Sequence, residues 1–453
     1  MFAFFKCMKK LLCLGICFMC LMSSAQTLPE LIQIASDNYP SIRSKRAQVS
    51  SAQQEVSYQK SDLLPSLSVS YQANIGTANN ITGLFLPGNI LPISGPPAIE
   101  NSSNLATGSA AALLLQWNPF TFGKRSSSIA KAENAVQLAQ AEEELEVFYH
   151  QIQFVETYLD FWESEALYEV LTKETERSEY NFKLAQQMVE DGLRSGMESA
   201  QLKSLMVKAK LQALNAKHLN AKKRAEAQEL LGGDVSIVQV DHRLHLINKD
   251  VKRSTSSEHP LANFSSQLTQ VEEAEKKVIQ KNILPDFRIW GTTFGRGSSI
   301  DANSQFNSYS DGFDFNRTNF GVGFELSFPL LEFIRNKHLV KAQEFQVEAS
   351  VAYDEQVQLQ LSKEEKIAQV TLENAIEAME LAPDYFEAAE LSHEVTQSRF
   401  KSGLANISEL LQAQVEVLEA EKQLVSAKVE FWKAVLYYSA TKGNISLFTE
   451  LIN

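Results

Sequence analysis

From Lys124 to Glu190 the chain runs for 67 residues without a Pro or a Gly. At 1.5 Å rise per residue an unbroken helix of that length reaches ~100 Å, which excludes a compact globule. Lys337 to Lys401 has the same character, and Pro383 predicts its single break. Within the first run Phe148, Ile152, Val155, Leu159, Trp162 and Ala166 step by four and three, the spacing of a coiled-coil seam. Near the C-terminus Leu411, Leu418, Val425 and Trp432 recur every seven residues, and Val415, Val429 and Leu436 follow the same period. With 19 Gly and 12 Pro in 453 residues the chain has few turns, so its elements must be long. Its 44% hydrophobic and 21% charged content excludes disorder.

The chain is a tandem duplication. Tyr39-Pro40 and His259-Pro260 are 220 residues apart, as are Leu63-Leu64-Pro65 and Ile283-Leu284-Pro285. Pro119 and Pro329 are 210 apart, as are Arg125 and Arg335; Gly192-Leu193 and Gly403-Leu404 are 211 apart. Each half reads as helix, strand, Gly/Asn/Ser-rich loop, strand, very long helix, tight turn and long helix. The first helical stretch, Pro40 to Leu64, carries Ile42, Val49 and Val56 as one seam and stops before Pro65. Gly192 and Gly403 stand where a helix ends in the left-handed conformation. Ser195 and Asn406 precede Glu198 and Glu409 by three, so each following helix is expected to open in a capping box, which makes two antiparallel helical hairpins. The expected layout is residues 26–231 as the first repeat, 232–258 as a connector and 259–453 as the second repeat.

The strands carry the decisive pattern. Asn319 to Phe328 alternates, with Phe320, Val322, Phe324, Leu326 and Phe328 on one face and Asn319, Gly321, Gly323, Glu325 and Ser327 on the other. Ser66 to Gln72 alternates likewise, setting Leu67, Val69 and Tyr71 against serines and Gln72. Asp286 to Phe294 is apolar in places on both faces, and Ala110 to Trp117 fixes no register. A lipid-facing strand needs ~9–11 residues with alternate positions apolar, which matches the clearer pair. A half-buried strand in a soluble sandwich would show the same alternation. Four strands make no soluble sheet of any size, however, and cannot close a barrel alone, because known barrels start at about eight. If lipid surrounds them, several copies must join.

Lys6, Lys9 and Lys10, then Leu11 to Met22, then Ser23-Ser24-Ala25 read as a cleavable export leader, residues 1–25, with the mature chain starting at Gln26. All four cysteines (Cys7, Cys13, Cys17, Cys20) lie within it, so the exported chain is expected to hold no disulfide and no Cys metal site. Neither Cys17 nor Cys20 follows a small residue, so no lipid anchor is expected. Losing three lysines and no acid takes the formal charge from −13 to −16, which repels nucleic acid. No phosphate loop, zinc-protease helix or nucleophile elbow is present. His242-Arg243-Leu244-His245 lacks a third spaced ligand and reads as a solvated loop, and Gly295-Arg296-Gly297 has no following helix. No catalytic, cofactor-binding or metal residue is expected.

Leu28 through Pro40, Leu64-Pro65-Ser66-Leu67-Ser68-Val69-Ser70, Phe328-Pro329-Leu330-Leu331-Glu332 leading to Arg335-Asn336, and both Gly-Leu hairpins together resemble the TolC family of outer-membrane efflux proteins, over nearly the whole mature chain. The resemblance implies a mainly helical chain with a small β part: a homotrimer in which each protomer gives four strands to a twelve-stranded transmembrane barrel in outer-membrane lipid and its helices to an α-barrel. It implies an exit duct of a tripartite efflux or type I secretion system. Its partners would be a periplasmic adaptor and an inner-membrane transporter of RND, ABC or MFS type. It further implies a periplasmic gate at the hairpin tips, where Glu409 matches a ring acid, Gln412 stands where a second acid is common, Phe400 matches an aromatic before the turn and Glu198 matches the first-repeat acid. A basic residue common two positions after the second Gly is Ala405 here, while Arg194 stands in the first repeat. Phe333-Ile334 replaces a common Gly pair, and the first repeat departs with Thr121-Phe122-Gly123. The loops Thr77 to Gly108 and Gly295 to Arg317 suit the cell surface, with Phe85, Leu86 and Phe313 folding over the barrel mouth. The competing reading is a soluble periplasmic adaptor or coiled-coil scaffold, which also uses helical hairpins.

Overall fold

A computed structural model of the chain describes residues 27–77, 79, 100–192, 195–232, 240–245, 258–301, 303 and 305–452. The expected leader, Arg194, Phe85 and Leu86 lie outside them. The elements are α1 (Leu28–Asn38), α2 (Pro40–Ser61), β1 (Ser66–Thr77), β2 (Leu105–Trp117), α3 (Lys124–Glu190), α4 (Gly196–Leu230), α5 (Pro260–Lys281), β3 (Asp286–Ser298), β4 (Arg317–Ser327), α6 (Glu332–Lys401), α7 (Ile407–Thr441) and α8 (Ser446–Ile452). Short 3-10 turns cover His242–His245 and Tyr309–Phe313. The order helix, strand, strand, long helix, helix occurs twice. No described helix is long and apolar enough to cross a membrane.

The chain forms two compact units, each assembled from both repeats. One comprises the chain up to Ser50, Gln137–Thr269 and the chain from Ala349 onward. Its core joins Leu28 and Leu31 of α1, Phe154, Tyr158 and Phe161 of α3, Leu230 of α4, Met379 of α6, and Phe431 and Trp432 of α7. The expected seam of α3 is there, with Val155, Leu159 and Trp162 buried. The C-terminal half of the α7 seam is there, with Val429, Trp432 and Leu436 buried, and its N-terminal half is displaced by one position. Leu410, Val417 and Phe431 are buried, as are Ala413, Ala420, Ala427 and Ala434, while Val415 is well exposed and Leu411 and Leu418 are half-buried. Alanines leave room for a neighbouring backbone, so the small residues take the close contact and the bulkier heptad sits beside it.

Two further expectations are corrected here. Pro383 does not break α6, which continues through it to Lys401. The proline lies on the exposed side, and buried Ala375, Met379, Ala382 and Ala389 before and after it hold the helix on course at the expense of one backbone hydrogen bond. The segment 242–245 is not a solvated loop: Leu244 is fully buried and its carbonyl accepts from Trp432 Nε1 at 2.9 Å, while Asp241 accepts the Leu28 amide at 2.9 Å and pairs with Arg243 at 2.7 Å.

The other unit comprises Ser51–Val136 and Gln270–Glu348. It holds a four-stranded antiparallel sheet in the order β1-β2-β3-β4. All four strands are longer than the stretches read from the sequence, except that β4 ends at Ser327 and leaves Phe328 just beyond the ladder. Pairing lengthens them, because the Gly-, Ser- and Thr-rich ends that look like loop satisfy their backbone groups against a partner strand.

Candidate functional site

The sheet sorts its side chains by face. Opposed residues of an antiparallel pair point to the same side, and neighbours along one strand to opposite sides. All three registers run without a bulge, so face membership carries across the whole sheet. One side holds Leu67, Val69, Tyr71 and Ile75 of β1, Leu113 and Leu115 of β2, Phe287 and Ile289 of β3, and Phe320, Val322, Phe324 and Leu326 of β4. The other holds Ser66, Ser68, Ser70 and Gln72, then Gln116, then Thr292, and Asn319, with Arg288 and Glu325 paired across β3 and β4 at 3.8 Å, and with Leu114, Trp290 and Phe294 among them.

The apolar side is bare: Val69, Phe320, Val322 and Phe324 keep 80%, 89%, 79% and 74% of their surface exposed. Leaving one such side chain in water forgoes about 1.5–3 kcal/mol, so a face built this way demands an apolar neighbour. Among the described residues β1 and β4 each pair along one side only, and their outer backbone groups meet no further strand.

Below the strands the exposed apolar residues continue through Leu64, Phe120, Phe328, Leu330, Leu331 and Phe333. Trp117 Nε1 donates to the Leu63 carbonyl at 2.8 Å. Phe122 (φ 52°) and Gly123 (φ 90°) are consecutively left-handed, so the first-repeat departure from the family pattern is a sharp corner into α3. Arg125 holds it, donating to the Asp62 carboxylate at 3.1 Å and to the Asn118 carbonyl at 2.5 Å, and Lys124 pairs with Asp286 at 2.9 Å. The equivalent Arg335 is largely exposed and reaches only its own helix at Glu332.

In the helical unit both hairpins turn on glycine: Gly192 and Gly403 each have φ 72°. At the second, Gly403 N–H bonds to the Phe400 carbonyl at 3.0 Å and Leu404 N–H to the Arg399 carbonyl at 2.8 Å, the paired bonds of a Schellman stop. Asn406 then accepts the Glu409 amide at 2.9 Å and donates its own side-chain amide to the Glu409 carboxylate at 2.8 Å, so this cap is closed through side chains. The first hairpin differs from expectation, because Ser195 makes no side-chain cap bond. Glu409 and Gln412 are exposed, Glu198 is half-buried, and Phe400 is fully buried against Met188, Ala405 and Leu410.

Next to that apolar knot lies a polar cluster that the periodicity did not single out. Gln414 of α7 donates to Glu174 Oε1 at 2.5 Å and to Ser178 Oγ at 2.7 Å, and accepts from Asn181 Nδ2 at 2.9 Å. Gln397 of α6 donates to Asn181 at 3.1 Å. Arg177 bridges Glu174 at 3.1 Å and Glu421 at 2.5 Å. Glu174, Ser178, Asn181 and Gln414 are all buried, so α3 is joined to the second hairpin through bonds that water does not replace. A Gln placed four residues after Leu410 and three before Val417, inside an apolar stripe, was the available signal. Among the described residues no cluster of side chains suits a metal ion.

A family model described as outer membrane efflux protein matches residues 31–233 and 273–435. The fold matches solved outer-membrane channels. VceC from Vibrio cholerae superposes with a TM-score of 0.71 at 14% identity, covering 92% of this chain and 96% of that one. CusC gives 0.75 at 12% identity, with 93% of each chain covered, and CmeC from Campylobacter jejuni gives 0.74 at 14% identity, covering 92% and 85%. No curated protein matches in sequence. The soluble adaptor or scaffold reading is set aside. An exit duct of the outer membrane that reaches into the periplasm, and not an enzyme, the chain belongs to the outer membrane efflux protein family.

Proposed function

We propose that the chain works as a homotrimer whose three sheets join edge to edge, β1 of one copy against β4 of the next, into a twelve-stranded barrel. The observation that carries this is the sheet itself: an exposed apolar stripe on one face, the serines, Gln72, Gln116, Thr292, Asn319 and the Arg288–Glu325 pair on the other, and two edges open among the described residues. In hydrocarbon each unpaired edge group costs several kcal/mol, which only closure removes. Leu67, Val69, Tyr71, Phe320, Val322, Phe324 and Leu326 then meet lipid, and the serines, Gln72 and Asn319 line water. Phe328, beyond the strand, meets the lower interface. Residues 1–25 act as the export leader.

The hairpin tips serve as the periplasmic gate. The second hairpin, with Glu409 and Gln412 toward the lumen, is held against α3 by Gln414, Asn181 and the Arg177 bridges, and it moves when those bonds give way. The Phe400 knot with Leu410 is the packed end of that contact, and Glu198 and the Gly192 turn form the rim of the first hairpin. Family channels work with an adaptor and an inner-membrane pump. For this chain the exposed Gly192 and Gly403 turns are the surfaces offered to the adaptor, and the pump is an RND, ABC or MFS transporter.

The test is cysteine pairing between β1 and β4. Single cysteines along both edges of the detergent-purified protein should cross-link between copies into a ladder that stops at three chains. Cross-links that stop at two chains, or a protein that stays monomeric and dissolved without detergent, overturn the reading.

A further inference from the structure

The second surface loop does not fold over the polar face of the sheet. It lies on the apolar one. Thr107 and Ser109 of β2, and Gly295 and Gly297 of β3, share the face of Val69 and Phe320 by the register. Thr107 Oγ1 donates to the Tyr309 carbonyl at 2.7 Å, and Ser109 Oγ to the Gly312 carbonyl at 2.7 Å. A Cβ added at Gly297 would fall 2.3 Å from the Asp314 carbonyl oxygen, and one added at Gly312 would fall 2.2 Å from Thr107 Oγ1. The loop therefore rests flat on this side, and it buries Thr107 and Ser109 to 8% and 5% exposure. The expectation that Phe313 covers the barrel mouth is corrected by this placement.

From the level of Leu326 and Phe287 up to that of Tyr71, the sheet's apolar stripe spans eight residue steps along β3. That is ~27 Å of strand, or ~20 Å of height at the usual tilt. Above Tyr71 the strands carry no aromatic on this face: Ile75 and Leu105 stand there among Ala73, Thr107, Ser109 and Gly297. The loop fills that level with Phe306, Tyr309, Phe313 and Phe315, each about half exposed. Phe315 meets Tyr71 edge-on at 6.3 Å, which joins the loop to the stripe, and Phe306 meets Tyr309 at 4.9 Å.

We infer that this loop is a membrane anchor: its aromatics enter the headgroup–acyl boundary of the outer leaflet and form the upper aromatic belt that the strands themselves lack. The inference rests on the proposed lipid contact of the strands. Barrels carry aromatic girdles at both interfaces because an amphipathic ring is most stable there. Here the girdle is supplied by a loop folded outward.

Cysteine is confined to positions 7–20, so the exported chain takes a single spin label cleanly. Labels at Phe313→Cys and Phe306→Cys would be compared, in vesicles of phosphatidylethanolamine and phosphatidylglycerol, with Val322→Cys as the lipid reference and Ser408→Cys as the water reference. The oxygen-to-nickel-chelate accessibility ratio at both loop sites should be several-fold above that at Ser408 and below that at Val322. If Val322 reads lipid while both loop sites read like Ser408, or are closed to both reagents as in a contact between copies, the anchor is overturned and the barrel stands. If Val322 itself reads water, the barrel falls and the anchor with it.

Discussion

Gln414 occupies a position that the buried stripe of α7 would otherwise give to hydrocarbon, and all its side-chain bonds go to α3. Replacing it by Leu keeps the volume but strips Asn181 of an acceptor and Glu174 and Ser178 of a donor. Each buried polar group so orphaned costs about 1–3 kcal/mol, so Gln414→Leu should lower the melting temperature of the purified protein and raise its resting conductance in a bilayer. His393 of α6 bears on the same contact. Burial first, and then the Arg177 guanidinium on α3, hold it below its ordinary pKa of 6.5, against the weaker pull of Glu394 on its own helix and Glu421 on α7. Its Nε2 has no hydrogen-bond partner among the described residues. Above pH 6.5 the ring is neutral in both the packed and the unpacked state. Below 6.5 the unpacked state binds a proton that the packed state resists, so docking weakens as pH falls from 6.5 through the depressed value. The melting temperature should therefore drop between about pH 7 and about pH 5, and His393→Gln should flatten that slope. Of this only Gln414, set inside an apolar stripe, is legible in the sequence; its partners are not, since polar residues in a long helix ordinarily face water and only burial reveals which do not.

The helices and their turns were legible because each boundary has a local cause. Pro65 and Pro285 end helices by restricting the residue before them, and Gly192 and Gly403 supply the left-handed stop. Gly403→Ala should cost about 1 kcal/mol in the hairpin, and Gly403→Asn less, because a side chain at φ 72° meets the following carbonyl and Asn tolerates this best. Thermal melts of the two variants measure the difference, and equal melts would mean the turn does not need its left-handed residue. What was misjudged depends on partners that a single stretch of sequence does not display. The α7 period holds at Val429, Trp432 and Leu436, but toward the tip bulk suggests burial of Leu411, Leu418 and Val425, whereas the alanine heptad beside them permits closer helix approach. Register in β2 was ambiguous because Leu113-Leu114-Leu115 fits either face, and only pairing with Val69 and Thr293 settles it. Pro383 looked like an end because its lost hydrogen bond is a local penalty, and the buried alanines around it outweigh that.

Assembly and permeation depend on the summed charge. The chain carries 55 acids against 42 basic residues, and the proposed loss of residues 1–25 with their three lysines increases the imbalance. In the proposed trimer three copies around one lumen triple the excess, and a lumen between low-dielectric walls focuses the resulting potential. Cations are then enriched along the path and anions depleted, so reversal potentials of the reconstituted channel in a salt gradient should show cation preference. The preference should be strongest in dilute salt and fade toward 1 M, where the screening length shrinks from ~10 Å at 0.1 M to ~3 Å. Glu409→Gln probes the tip separately. If the exposed Glu409 carboxylates ring the narrowest point, their neutralisation removes most of the selectivity while leaving the barrel intact, because Asn406 still accepts the amide of residue 409 and the cap survives. If selectivity persists in that variant, the controlling charge lies along the helices. Anion preference in the unmodified channel would remove the electrostatic argument altogether.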